Sequence, residues 1–508
     1  MRRTPMALAI AAVLAMAPAD MCRAQFGLFY EWNDPAGGSY AAGSNWLPFG
    51  VPDAANEGAG FSLDAAYNVD LAANYTVGDL FVGRGDVRFL FDPPSLFQLP
   101  HRYTTGGLSV EPAAGSAAHL TLDHGVAEVQ TNMPVGSHGN ARLTLLDAGL
   151  ITAGARLGTG AGSEGHVIVD HVSSWTSSAP VVIGGAGRGR LELQAGTRSS
   201  AFGSFTTQGD ATMAGVVLGQ SSGGSGTAIV HGIWLTGDLI VGDAGAGEVT
   251  LQATEVPFPA STLSSAGRVD SLSANIAAQP GSAGTVNVVG FVLNGFTTVA
   301  SEWNVSSNLA IGGTSAAAGG AGRLAIGGLN QVSVGADLKI WSGGALSLTE
   351  HGVLAVTGAA EVDGALEFLL ASTADPQLED EFPILTAAGG VTGEFSALAL
   401  PSLDEGLRWV VDYEPTTVSL RVAASFTADF DADGDVDGDD LIKWQDAFGP
   451  TPGSDADDDG DSDGADFLAW QRQLGSGSAG ASPSQMAVPE PSITTVFVGA
   501  ALVVPRSR

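Results

Sequence analysis

A mainly β protein is what three features of this sequence predict: a right-handed parallel β-helix or solenoid body, followed by a small α-helical module. First, 71 of the 508 residues are glycine, twice the usual ~7%, while charged residues are 15% against about 25% in soluble domains. Such a chain turns often and builds short strands. Second, one phrase recurs through the body: an aliphatic residue and Gly, a Gly-rich turn, then alternating apolar residues. Third, an Asp-rich loop and the helix after it occur twice, 26 residues apart. The composition also excludes functions. The net charge is −34 and the only lysines are Lys339 and Lys443, so there is no basic footprint for nucleic acid. At 44% hydrophobic the chain is too apolar for global disorder.

In chain order, residues 1–24 read as a secretory signal. Met1-Arg2-Arg3 precedes an apolar run from Met6 to Ala17, and Ala24 would be the last residue removed. An apolar run of this length reaches only about 18 Å of a ~30 Å bilayer core. The single cysteine, Cys22, lies inside this segment, so the mature chain is expected to make no disulfide.

Residues 25–360 form the expected solenoid. Trp32, Tyr40 and Trp46 would seal its first coil. The recurring phrase appears as Leu157-Gly158 with Gly165-His-Val-Ile-Val169, and as Ile183-Gly184 with Gly189-Arg-Leu-Glu-Leu193. It returns at Leu218-Gly219, Val241-Gly242 and Ile311-Gly312. The glycines are 26, 35, 23 and 70 residues apart, an irregular period suited to stacked coils. Alternation and turns alone would equally suit a β-sandwich array. Residues 361–425 read as closing hairpins that cap an exposed edge. The repeat phrase is similar to that of bacterial autotransporter passengers and related surface proteins, which implies a β-helix.

Residues 426–476 carry the strongest constellation. The first loop places Asp429, Asp431, Asp433, Asp437 and Asp440 at positions 1, 3, 5, 9 and 12, with Gly434 at 6 and Asp435 at 7. The second repeats this with Asp455, Asp457, Asp459, Asp463 and Asp466, with Gly460 at 6 and Asp461 at 7. This is the spacing that wraps oxygens around Ca²⁺, position 7 contributing its backbone carbonyl. Two ions are expected. The match continues outside the loops, with Trp444 answered by Trp470 and Gly449 by Gly475. Loop then helix, twice, with no entering helix, resembles a type I dockerin. That resemblance implies a cohesin-like partner, although loop positions 10 and 11 are Gly438-Asp439 and Gly464-Ala465 rather than the hydroxyl residues often seen there.

After a linker at 477–487, residues 488–508 hold Pro489-Glu490-Pro491, an apolar run from Ile493 to Val504 and two terminal arginines. This resembles the PEP-CTERM sorting signal, which implies an exosortase-type protease and export to the surface or matrix of a diderm bacterium. The mature chain would not stably span a membrane.

The body offers little chemistry. Gly219-Gln-Ser221-Ser-Gly223 and Gly160-Ala-Gly162-Ser-Glu-Gly165 match a nucleophile-elbow and a dinucleotide string. Both sit in repeat turns without the helix that those motifs need. His119 and His124, like His166 and His171, would fall on opposite faces of a strand at their odd spacing, which makes neither pair a good metal site unless a turn intervenes. Arg84-Gly85-Asp86 is explained by a Gly turn between charges. Trp175, Trp234, Trp303 and Trp341 would form a sugar platform if they shared one outer face. The expectation is a non-enzymatic structural or adhesion protein, calcium-stabilised and associated with a cohesin-like partner or an exopolysaccharide. The alternative is a β-helix polysaccharide-degrading enzyme, a lyase or glycoside hydrolase.

Overall fold

A computed structural model describes residues 28–476, except 93–99, 201–202, 259–260, 294–296, 372–373, 405–406, 452 and 458. The signal segment 1–24, the linker 477–487 and the sorting motif Pro489-Glu490-Pro491 lie outside the described residues. The chain divides into two compact units. The first runs to Ala423 without Asp404–Arg408, and the second comprises those five residues and the chain from Ala424.

The first unit is built on two long parallel sheets, an arrangement compatible with a β-solenoid and contrary to an antiparallel sandwich array. In one sheet Ala117–Asp123 pairs with Asn140–Leu146, then Glu164–Val169, Arg188–Leu193 and Ser225–Val230, each the next parallel neighbour. In the other, Gly149–Thr152 leads through Ser174–Ser177, Asp210–Leu218 and Ile233–Val241 to Arg268–Ile276. Alternate residues of these strands are buried, as in Ser225–Val230, so one face of each sheet supplies the core.

The corner glycines stack. Gly158, Gly184, Gly219, Gly242 and Gly312 have φ of +62° to +78°, a left-handed conformation that favours Gly. Each N–H bonds to a carbonyl of the preceding turn, Gly242 to Leu218 at 3.0 Å for example. The 70-residue gap is two turns. Ala277 stands at the missing corner with φ +58° and bonds to Val241 in the same way at 2.8 Å. The irregular period has a second cause. Antiparallel hairpins, Ala195–Ser200 with Gly203–Gln208 and Thr254–Phe258 with Ser261–Ser265, are inserted between successive sheet strands. A third joins Phe291–Leu293 to Thr297–Val299.

The indoles are not an outer platform. Trp175, Trp234 and Trp303 are fully buried, in one ladder that reads Leu150, Trp175, Ala211, Trp234, Val269, Trp303, Val332. Adjacent strands lie ~4.8 Å apart, so an indole on every turn would overfill the interior, and a small partner between indoles keeps native packing density. Trp341 stands apart and half-buried, with the Lys339 ammonium 3.9 Å from its ring centroid.

Trp32, Tyr40 and Trp46 are buried near the start of the unit. Trp32 meets Trp46 edge-on at 5.1 Å, and the Tyr40 hydroxyl donates to Pro52 O at 2.9 Å. Towards the other end, Glu381–Ala387 takes Thr417–Ala424 as an antiparallel neighbour, which ends the parallel ladder. Gly219 to Gly223 form a strand–turn–strand corner, and Gly160 to Gly165 lead into a strand, so neither string has a helix N-terminus.

Candidate metal centre

The second unit contains two ten-residue helices, α1 (Gly438–Ala447) and α2 (Gly464–Gln473). Each starts at a loop aspartate. Asp437 accepts a hydrogen bond from Asp439 N, and Asp463 accepts one from Ala465 N. The N3 residues Asp440 and Asp466 reach back to complete capping boxes. Position 9 of each loop is thus also the N-cap, and position 12 also N3, so one set of carboxylates starts the helix and closes the loop.

Asp440 and Asp466 are fully buried. Asp440 accepts from Phe430 N at 2.6 Å, Asp431 N at 3.2 Å and Asp437 N at 2.7 Å. Asp466 accepts from Ala456 N and Asp463 N, both at 2.6 Å. Gly434 N and Gly460 N donate to Asp429 and Asp455 at 3.0 and 2.9 Å. At φ +99° and +96°, the two glycines make the sharp turn at position 6 that a side chain would strain.

The carboxylates gather in triads whose oxygens lie within 4.8 Å of one another. In the first loop these are Asp429, Asp431 and Asp440, and Asp435, Asp437 and Asp440. In the second they are Asp455, Asp457 and Asp466, and Asp461, Asp463 and Asp466. Asp433 and Asp459 stand outside the triads; each accepts a hydrogen bond from the residue two further on. Asp435 and Asp461, expected to offer only their carbonyls, turn carboxylates into the cluster.

The electrostatics are those of crowded anions, relieved at Asp429 by the Arg408 guanidinium. Oδ1 of Asp429, Asp435 and Asp461 is buried with no hydrogen-bond partner, a costly state for a carboxylate oxygen. Desolvation pushes the Asp429 carboxyl above its usual range, against the Gly434 hydrogen bond that lowers it, and neighbouring Asp440 and Asp433 raise it further. Asp431, Asp435, Asp457 and Asp461 shift up as well, from desolvation and then from adjacent carboxylates. Oxygen donors at this spacing fit a hard divalent cation. The donor set contains no nitrogen or sulfur, which disfavours a zinc-type site.

The duplication is built into the contacts. Trp444 of α1 donates to Asp463 O of the second loop at 2.9 Å, and Trp470 of α2 donates to Asp437 O of the first at 2.7 Å. Gly449 N bonds to Ser462 O at 3.0 Å, and Gly475 N to Val436 O at 2.8 Å. All four pairs obey the 26-residue offset, so each helix buttresses the loop of the other copy. The recurrence of Trp and Gly was visible in the sequence, but this crossed role was not.

Comparison with family models, with curated proteins and with solved structures returned no match. Among the described residues, no helix is long and apolar enough to cross a membrane.

Proposed function

We propose that the chain is a secreted, non-enzymatic structural or adhesion protein. Its body would be a right-handed parallel β-helix, and its dockerin-like module would be ordered by two calcium ions. The observation that carries the metal reading is the pair of loops in which carboxylates converge, each with glycine left-handed at position 6. Three buried carboxylate oxygens there lack any partner. A bound cation would give those oxygens the charge and coordination they lack.

A docking role finds support on the same module. Ile442 and Leu468 are exposed, as are Phe448 and Leu474, and each pair obeys the 26-residue offset. Exposed apolar side chains repeated on both helices offer a partner two equivalent faces. A cohesin-like protein is the partner the resemblance implies, with exopolysaccharide as ligand of the body. Display at the cell surface or in the matrix follows from the signal and sorting segments read in the sequence.

Calorimetric titration of the full chain with Ca²⁺ tests the metal reading, with two ions per chain as the expected result. A flat titration, or one indifferent to prior chelation, would sink it. Pull-down from native envelope material with and without chelator tests the partner: capture should require calcium. Depolymerisation assays on acidic and neutral polysaccharides test the class, because turnover would replace the structural reading with the enzymatic one.

A further inference from the structure

The sheet face that bears His119 and His166 carries a feature no sequence motif announced. A cavity of about 670 Å³ crosses the outer face of the first unit, lined by Arg84, Asp86, His119, Arg142, Glu164 and His166 among others. A second depression of about 470 Å³ adjoins it, sharing Asn140 and Glu164 and adding Arg188. Together they form a trough across successive strands. Gly85, Ala117, Ala118 and Ala141 lie along its lining, so small side chains leave the space open.

The register orders the charges. Asp86, His119, Arg142, His166 and Arg190 are consecutive partners on one ladder, while Asn140, Glu164 and Arg188 are consecutive partners two residues earlier along the strands. Most of these groups are tied down. His119 stands 3.2 Å from Asp86 and makes a 2.9 Å hydrogen bond with Thr144 Oγ1. Arg190 bonds to Glu192 at 3.3 Å and Arg84 lies 3.7 Å from Asp64, while His166 Nε2 lies 3.7 Å from the Glu192 carboxylate and is buried without a hydrogen bond. Arg142 and Arg188 are different. Both are exposed, and among the described residues neither guanidinium makes an ion pair or a hydrogen bond.

We propose that this trough binds an acidic oligosaccharide, its carboxylates held by Arg142 and Arg188. A free guanidinium fork matches a carboxylate bidentately. Two such forks stand two strand steps apart, with Glu164 between them. That pattern selects anions set at intervals and repels a dense polyanion. Glu164 between the forks, with Asn140 and Asp86 beside them in the lining, suits the hydroxyls of a sugar. This deepens the exopolysaccharide part of the proposed function and rests on it for an extracellular setting only.

The test is calorimetric titration of the full chain with a tetrasaccharide of alternating glucuronate and N-acetylglucosamine, and with its methyl ester. Chelator is present throughout, so the outcome is independent of whether the acidic loops bind calcium. The acid should bind and the ester should bind at least tenfold more weakly. Arg142→Gln and Arg188→Gln should each weaken the acid at least tenfold. Arg142→Lys, which keeps the charge and loses the fork, should fall between. Arg156→Gln removes an exposed arginine outside the trough and should leave affinity unchanged. Thermal melting of each variant, expected to match the parent, separates lost binding from lost folding. Equal binding of acid and ester, no binding of the acid, or an equal loss in Arg156→Gln would overturn the proposal.

Discussion

Trp234 shows how far one side chain's environment follows from its position in the stack. Trp175 donates its indole N–H to Thr152, and Trp303 donates to Ser271, each at 3.1 Å. In both cases the acceptor sits one turn earlier and two residues further along the strand. The corresponding residue for Trp234 is Met213, and the Trp234 Nε1 is buried without a hydrogen bond. A serine at 213 would supply the acceptor that Ser271 gives Trp303. Met213→Ala should therefore cost about 2–5 kcal/mol, and Met213→Ser should be about 1 kcal/mol less damaging than the alanine, as read from denaturant midpoints. A serine worse than the alanine would show that the indole does not take the hydroxyl. In the second unit, Asp440 is the counterpart with a charge. Asp440→Asn turns an amide NH₂ towards backbone donors or the ion cluster. A loss of about 1.5–3 kcal/mol in the first loop is expected. Calcium titration should then show one site weakened at least tenfold beside one near-normal site.

At the scale of elements, what the sequence revealed depended on how local the constraint was. A calcium-type loop fixes residue types at set offsets within twelve positions, so both loops and the helices after them were legible. The side-chain role of Asp435 and Asp461 was not, because position 7 demands only a carbonyl. The strands were legible as alternation, but their stacking was blurred by the inserted hairpins and by Ala277 in place of a corner glycine. The tryptophans therefore looked like candidates for an outer face when they occupy an inner ladder. The trough was invisible because Asp86, His119, Arg142 and His166 come from four different strands. That same cross-strand chemistry gives the sheet a pH signature. His166, 3.7 Å away, together with Gln194 and Arg190, holds the Glu192 carboxyl down to about 2 against its burial. The folded value lies below the unfolded ~4.3, so this contribution is complete above that pH and disappears as pH falls towards 2. Glu192→Gln should flatten the loss of melting temperature across that window; an unchanged acid limb would show that Glu192 does not set it.

For the whole molecule, the density of charge distinguishes two parts of the chain. Fifteen aspartates and a single lysine lie between positions 429 and 466, whereas the first unit sets an apolar ladder of indoles and aliphatic side chains against a lightly charged exterior. The two units should therefore answer a chelator separately. The body draws its stability from buried area and stacked backbone hydrogen bonds, neither of which involves a cation. Among the described residues the small unit has a core of Ala428, Val436 and Trp470 with a few half-buried neighbours, too little to offset clustered carboxylates unaided. At calcium a thousandfold above the dissociation constant, the proposed binding would add about 4 kcal/mol per site, which is comparable to the whole stability of so small a domain. Scanning calorimetry should show two transitions in calcium. Chelation should abolish the one assigned to residues 426–476, or lower it by more than 10 °C, while moving the body's by less than about 2 °C. Trp444 and Trp470 fluorescence, isolated by comparison with W444F and W470F variants, assigns the chelator-sensitive step. If that step instead followed the buried body tryptophans, calcium would be acting on the ladder and the division of the chain into two independently stabilised units would be wrong.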